Sequence, residues 1–176
     1  MNDTENKKDL LNRIQKEFNS NRPEHIVDNP TSCLDCEEAY KKHLGLKKLK
    51  YVMPDDFNVT GISMYILNDQ GFWYYFPRVL TLCIEGKEIT IGVYEGYLLE
   101  MTLNILIKCN DRRFDNIGKL QYSIIIDFLK FIYKKYYMED YEYWDYNTEK
   151  IIHAYYNETI IEKCSKALSC WKLKNW

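Results

Sequence analysis

Two cysteines, Cys33 and Cys36, form a Cys-x-x-Cys pair, the closest spacing of two thiols in the chain. A closed zinc site needs four ligands, commonly two cysteines from a tight turn and two further side chains from elsewhere. His25 and His43 flank the pair and bring the number of ligands to four. The spacings on either side match no standard zinc finger, so the competing interpretation is a packed helix N-terminus without a metal.

A redox role for the same pair needs a lowered thiol pKa, which a helix N-terminus capped by Ser32 would favour. Thioredoxin-like pairs follow a strand, whereas a loop with Pro23 and Pro30 precedes this one. The carboxylates of Glu37 and Glu38 would also oppose thiolate formation. The chain has no recognisable catalytic triad, metalloprotease motif or Gly-rich phosphate loop. We therefore expect a protein that is not an enzyme.

The segment from 139 to 146 combines four acidic with four aromatic residues and contains no Lys or Arg. This acidic aromatic segment consists of Glu139, Asp140, Tyr141, Glu142, Tyr143, Trp144, Asp145 and Tyr146. Exposed Tyr and Trp side chains anchor protein interfaces, and acidic neighbours favour a partner with a basic surface. We therefore predict that the segment binds a protein partner, for example by standing in for phosphates in the cleft of a nuclease. The competing interpretation is a loop whose rings pack inward and whose acids are solvated.

A run with five lysines between Lys41 and Lys50 is the basic counterpart of that segment. Nucleic-acid surfaces usually add Arg and stacking aromatics, and this run contains neither. We interpret it as a solvated helix end, where Lys complements the helix dipole. The formal net charge of -2 likewise argues against general nucleic-acid binding.

Composition predicts one domain with a real core, since the 176 residues are 46% hydrophobic and 28% charged. Sixteen Tyr against seven Gly and four Pro favour long helices over turn-rich sheets. No apolar run approaches the ~18 residues that a membrane span needs, and no secretory signal is visible. We therefore expect a cytoplasmic protein without membrane association and without a disulfide framework. Cys83, Cys109 and Cys164 are expected to be small buried hydrophobes.

Apolar periodicity predicts helices over residues 5–19, 33–44, 68–84, 97–108, 117–137 and from 148 onward. Asn68 or Asp69 should cap the third, and Pro77 should kink or divide it. Residues 47–56 are predicted as a connector stopped by Pro54, and residues 87–96 as a short hairpin or an interrupted helix. We predict an all-α single domain, residues 1–176, of about six helices.

Three spaced motifs resemble those of an uncharacterised bacterial family of short, mainly helical proteins. The first is the box Cys33-x-x-Cys36-Glu37, and the second, Gly71 to Pro77, is similar to an aromatic-Tyr-Tyr-Leu-Pro box. The third is Arg113-Phe114 followed by Gln121-x-x-Ile124-Ile125-x-x-Phe128-Leu129. The resemblance covers residues 25–135, with 138–176 as an addition, and no activity is established for the family.

The resemblance implies a helical fold, and by analogy with small proteins found beside toxin genes it implies an immunity role. We therefore expect an immunity protein that neutralises a bacterial toxin by occluding its active cleft, with no cofactor. The alternative is a zinc-stabilised regulatory or nucleic-acid-associated module centred on Cys33 and Cys36.

Overall fold

The computed structural model describes residues 3–27, 34–59, 64–65, 67–87, 97–139 and 148–174. These residues form seven α-helices: α1 (Asp3–Glu17), α2 (Leu34–Lys42), α3 (Pro54–Val59), α4 (Asp69–Glu85), α5 (Tyr97–Ile107), α6 (Lys119–Glu139) and α7 (Thr148–Leu173). Three 3-10 turns are added at Leu44–Leu46, Leu49–Tyr51 and Arg112–Phe114. No strand occurs in the described ranges, and the prediction of an all-α fold is confirmed. The alternative hairpin near residues 87–96 falls on 88–96, outside the described residues.

The chain divides into two compact units, Met1–Thr102 and Leu103–Trp176, and α5 runs across the division. The first unit contains α1 to α4, and the second contains α6 and α7. One domain over residues 1–176 stays a prediction. No helix of the described part is long and apolar enough to cross a bilayer.

The central helix of the first unit is α4, which buries most of its length. Its buried residues are Gly71, Phe72, Tyr74, Tyr75, Phe76, Pro77, Val79, Leu80, Leu82, Cys83 and Ile84. Helix α1 packs against it because Leu10 and Ile14 lie one turn apart on the same face and are both buried. Phe18, just beyond α1, extends that face, with its ring 5.9 Å from Trp73 and 6.0 Å from Phe76. Leu10, Ile14 and Phe18 thus form the face of this segment that packs against α4.

Helix α4 is capped as the sequence predicts, but Pro77 does not divide it. The Asn68 side chain accepts a hydrogen bond from the Gly71 N–H at 2.8 Å, and Gly86 ends the helix in the left-handed conformation with φ of 70°. The helix continues through Pro77, although proline removes one backbone donor. Its ring is buried in the unit core, and that packing offsets the lost bond. Of the two effects predicted for Pro77, a kink or a division, the division does not occur.

The predicted connector over residues 47–56 contains a 3-10 turn and the start of α3. Pro54 begins α3, a position where its missing N–H would have had no helical partner anyway. The Asp56 carboxylate accepts from the Met53 N–H at 2.8 Å, as in a capping box. Pro54 therefore starts a helix, whereas the sequence pattern predicts that it ends the connector.

The second unit is built on the packing of α6 against α7. The side chains that meet there are completely buried: Ile124, Ile125, Phe128, Leu129 and Ile132 on α6, and Ile160, Cys164, Ala167 and Trp171 on α7. Both sets recur at three- and four-residue intervals, which places each on one helix face. The helices predicted over residues 117–137 and from 148 onward are thus present as α6 and α7.

Candidate functional site

The Glu37 carboxylate, next to the cysteine pair, is 4% exposed and holds the loop that precedes α2. Its Oε1 accepts hydrogen bonds from the backbone N–H groups of Ile26 at 2.9 Å and Val27 at 3.3 Å. Its Oε2 lies 3.3 Å from His25 Nδ1. The carboxylate thus satisfies two backbone donors that the loop could not pair by itself. Sequence reasoning gave Glu37 only an effect on the thiols and missed this contact.

The same loop is held from its other side by Asn68, the residue that caps α4. Asn68 Nδ2 donates to the His25 carbonyl at 3.1 Å, and the Asn68 N–H donates to the Ile26 carbonyl at 2.7 Å. A Cβ at Gly71 would lie 3.2 Å from Asn68 Oδ1 and 3.5 Å from Ile26 Cα. Glycine therefore keeps room for this approach. We call Glu37 and Asn68, with the loop between them, the loop clasp.

The predicted zinc ligands are placed only in part by the structure. His25 is held by Glu37, and His43 is exposed beside the 3-10 turn that follows α2. Cys33 and the Cys36 side chain lie outside the described residues, so the four-ligand set stays a prediction. Among the side chains that are described, no three His, Cys, Asp or Glu residues cluster as metal ligands would.

A buried tyrosine cluster lies beside the loop clasp. Tyr40 donates its hydroxyl to the Pro23 carbonyl at 2.7 Å, and its ring packs edge-on against Tyr75 at 6.5 Å. The Tyr75 hydroxyl is buried without a well-aligned hydrogen-bond partner in the described structure. Burial, and next the nearby Tyr40, raise the pKa of Tyr75. Both phenols are therefore neutral at physiological pH, and the cluster contributes packing in preference to acid–base chemistry.

The predicted partner-binding segment begins at the last residue of α6. Glu139 ends this helix, its side chain is not described, and residues 140–146 lie outside the described residues. The turn before it is aromatic: Tyr133 and Tyr137 stack with ring centroids 5.8 Å apart and planes inclined by 9°. Tyr137 is 47% exposed. We call this stacked pair the aromatic end of α6.

The last turn of α7 is fastened by a disulfide between Cys109 and Cys170, with Cα atoms 6.0 Å apart. Cys109 is buried as expected, but the expectation that it acts as a small hydrophobe with a free thiol is wrong. The expectation of no disulfide framework did not include this bond. Cys83 and Cys164 are buried and are not disulfide-bonded, as predicted. Burial raises the pKa of the Cys164 thiol to about 12, which keeps it protonated and inert.

Polar contacts fasten the same turn a second time. Trp171 is fully buried, and its Nε1–H donates to the Leu106 carbonyl at 2.8 Å. Lys174 Nζ donates to the carbonyls of Cys109 and Phe114, each at 2.9 Å. Asp111 caps the adjacent 3-10 turn and pairs with Arg113 at 2.7 Å. These contacts close the end of the second unit.

A groove of about 380 Å³ runs between α1 and α4 in the first unit. The residues that line it are Leu11, Asn12, Ile14, Gln15, Phe18, Leu49, Lys50, Pro77, Arg78, Thr81 and Glu85. Its floor is apolar and its rim is polar, which is the usual composition of a ligand site. This groove could not be predicted from the sequence, because its lining residues come from three segments that are far apart in the chain.

Comparisons with family models, with curated proteins and with solved structures find no match to this chain. The resemblance based on the three sequence motifs therefore stays a prediction.

Proposed function

We propose that the protein is a non-enzymatic binding protein, an immunity protein that neutralises a bacterial toxin by occluding its active cleft. The observation that carries this proposal is the aromatic end of α6. The stacked Tyr133 and Tyr137 lead directly into the acidic aromatic segment, with its four acids and four aromatics. In sequence, only Met138 separates Tyr137 from this segment.

Physical chemistry favours a protein partner for this stretch. Tyrosine offers a large contact area with few rotatable bonds, so its immobilisation costs little entropy. Stacking of Tyr133 on Tyr137 reduces that cost further, because the rings are already ordered before binding. The acids would steer a partner with a basic cleft and raise the rate of association. A nuclease toxin, whose cleft binds phosphates, fits this chemistry.

The first prediction concerns the acids of the segment. The variant with Asp140→Lys, Glu142→Lys and Asp145→Lys should bind a toxin that the unmodified protein neutralises with association at least about ten-fold slower at low salt. The slower step arises because steering depends on charge, whereas dissociation depends on the aromatic contacts. Surface plasmon resonance at several salt concentrations measures both rates.

A control variant makes the same change in net charge elsewhere. Glu24, Asp115 and Glu158 are exposed, and their triple replacement by Lys should leave association close to that of the unmodified chain. If both triple variants bind alike, the segment is not the contact surface. If a pull-down from the native strain with the unmodified protein recovers no toxin, the immunity role itself is contradicted.

The zinc-stabilised module is the second candidate, and the loop clasp favours it. Glu37 Oε2 lies at His25 Nδ1, the arrangement by which carboxylates orient metal-binding histidines. The other ring nitrogen is left for a ligand role, with Glu24 Oε1 4.0 Å away.

The second prediction tests that module by elemental analysis of the purified protein. It should contain about one zinc per chain if the site exists, since four-ligand structural sites bind one ion. Cys33→Ser with Cys36→Ser should then lose the metal, while Cys83→Ala with Cys164→Ala should retain it. If the protein is refolded in the presence of zinc, folds normally and still contains no zinc, this candidate is excluded.

A further inference from the structure

Two cations line the groove between α1 and α4 without a carboxylate partner in the described structure. Arg78 is half-buried, and Lys50 is exposed at the rim. The acid of the lining, Glu85, forms its ion pair with Lys87 at 3.0 Å. The charged residues of the lining are thus two cations, Lys50 and Arg78, and one acid, Glu85, so the lining carries a net positive charge.

Arg78 has N–H donors left over that could bind an anion. Its Nε–H donates to the Val52 carbonyl at 2.8 Å, and its Nη2 has only a weak contact with Met53 Sδ at 3.8 Å. A guanidinium has five N–H donors in a planar fork suited to a carboxylate. Burial lowers the pKa of Arg78, and the charge of Glu85 opposes that change. A half-buried cation of this kind gains most from a counter-ion that enters with a ligand.

The floor of the groove is apolar and already formed. Ile14 is 1% and Phe18 is 6% exposed, and the Pro77 ring is buried beside them. The Thr81 hydroxyl donates a hydrogen bond to the Pro77 carbonyl at 2.9 Å, so Thr81 offers mainly its methyl group to the groove. An apolar chain laid along this floor would leave water without requiring the helices to move.

We infer that this groove binds a small amphipathic carboxylate, with its anionic head on Arg78 and Lys50 and its apolar tail along Phe18 and Pro77. The volume of the groove, about 380 Å³, lies within the range of small-molecule sites, roughly 300–1,000 Å³. A medium-chain fatty carboxylate matches the charge, the apolar floor and the volume together.

The third prediction uses octanoate as the probe and octanol as its uncharged counterpart. Titration calorimetry should show octanoate binding at least about ten-fold more tightly than octanol, because only the carboxylate pairs with the guanidinium. Amide shifts in NMR spectra should map to α1, α4 and the turn at Leu49–Tyr51. Equal affinity for the two probes, or shifts elsewhere in the chain, would overturn the inference.

Matched variants separate the anion site from a purely structural Arg78. Arg78→Gln and Arg78→Lys both remove the guanidinium contact to Val52, but only Arg78→Lys keeps a cation. Octanoate affinity should fall about ten-fold in Arg78→Gln and by much less in Arg78→Lys. If both variants lose affinity equally, Arg78 only positions the neighbouring backbone and the inference fails.

A second pair of variants avoids the half-buried position altogether. Lys50→Glu and Lys48→Glu change the same charge at exposed sites, but only Lys50 lines the groove. Octanoate should bind several-fold more weakly to Lys50→Glu than to Lys48→Glu. Equal binding by these two variants would also overturn the inference.

Discussion

At the scale of single residues, Asp111 gives the fourth prediction. Its carboxylate accepts from the Arg113 N–H at 3.0 Å and pairs with the guanidinium at 2.7 Å, and these contacts hold its pKa below the ordinary value. Asp111→Asn should lower the free energy of unfolding by about 1–2 kcal/mol at neutral pH. Urea denaturation measures this loss, with Asp115→Asn as an exposed control.

The pH dependence of that difference follows from the lowered pKa of Asp111. Because the folded-state pKa is depressed, the stabilisation is complete above the unfolded pKa near 3.8 and disappears as pH falls through the folded value. The gap between Asp111→Asn and the unmodified protein should therefore close in strong acid. A gap that stays constant with pH would assign the effect to packing instead of charge.

Residue roles were predictable from the sequence where the partner is close in the chain. The Asn68 cap could be predicted because it bonds a backbone group only three residues away. The role of Glu37 could not be predicted, since its partners Ile26 and Val27 lie 11 and 10 residues earlier in an irregular loop. The pairing of Cys109 with Cys170 spans 61 residues, and nothing local indicates it.

At the scale of elements, the disulfide between Cys109 and Cys170 gives the fifth prediction. By closing a 61-residue loop it restricts the unfolded chain, an effect of about 4 kcal/mol at this length in the chain-entropy model. Cys109→Ser with Cys170→Ser should lower unfolding stability by up to that amount and abolish any response to reductant. Denaturation with and without reductant measures both, and Cys83→Ala serves as the control.

The polar contacts around Trp171 set the structural outcome of that experiment. The Nε1–H bond to Leu106 and the two bonds from Lys174 do not depend on the thiols. The reduced protein should therefore keep α7 packed on α6, with Trp171 still shielded in its fluorescence spectrum. Exposure of Trp171 on reduction alone would show that the disulfide is what holds this turn.

The helices themselves were largely predictable because apolar periodicity is a local signal that tertiary packing reinforces. Helix α3 was missed since it has only six residues and begins at Pro54, which resembles a stop. The sequence could not decide whether Pro77 divides α4, because the missing backbone donor is visible in sequence whereas the packing of the Pro77 ring is not.

At the scale of the whole molecule, a net charge of -2 conceals two local fields of opposite sign. The acidic aromatic segment is negative, whereas the groove end with Lys50 and Arg78 is positive. Since the overall charge is small, any steering must come from these local fields, which salt screens over about 10 Å at moderate ionic strength. Binding at each site should therefore weaken with added salt.

One structural finding, the disulfide of Cys109 and Cys170, was not expected from the predicted cytoplasmic location. A cytoplasmic location stays a prediction, and the disulfide of Cys109 and Cys170 is a type of bond that reducing compartments disfavour. Composition could not reveal this, because six scattered cysteines look alike in sequence. The two sites proposed here involve neither of these cysteines.

The loop clasp has a consequence for how this protein's relatives should vary in sequence. Glu37, Asn68 and Gly71 meet the same short loop from two helices, so a change at one alters the constraint on the others. In distant relatives we expect the acid, the amide and the glycine to be inherited together or lost together. A search built on that triplet and its spacing would recognise ancestry that overall identity no longer records.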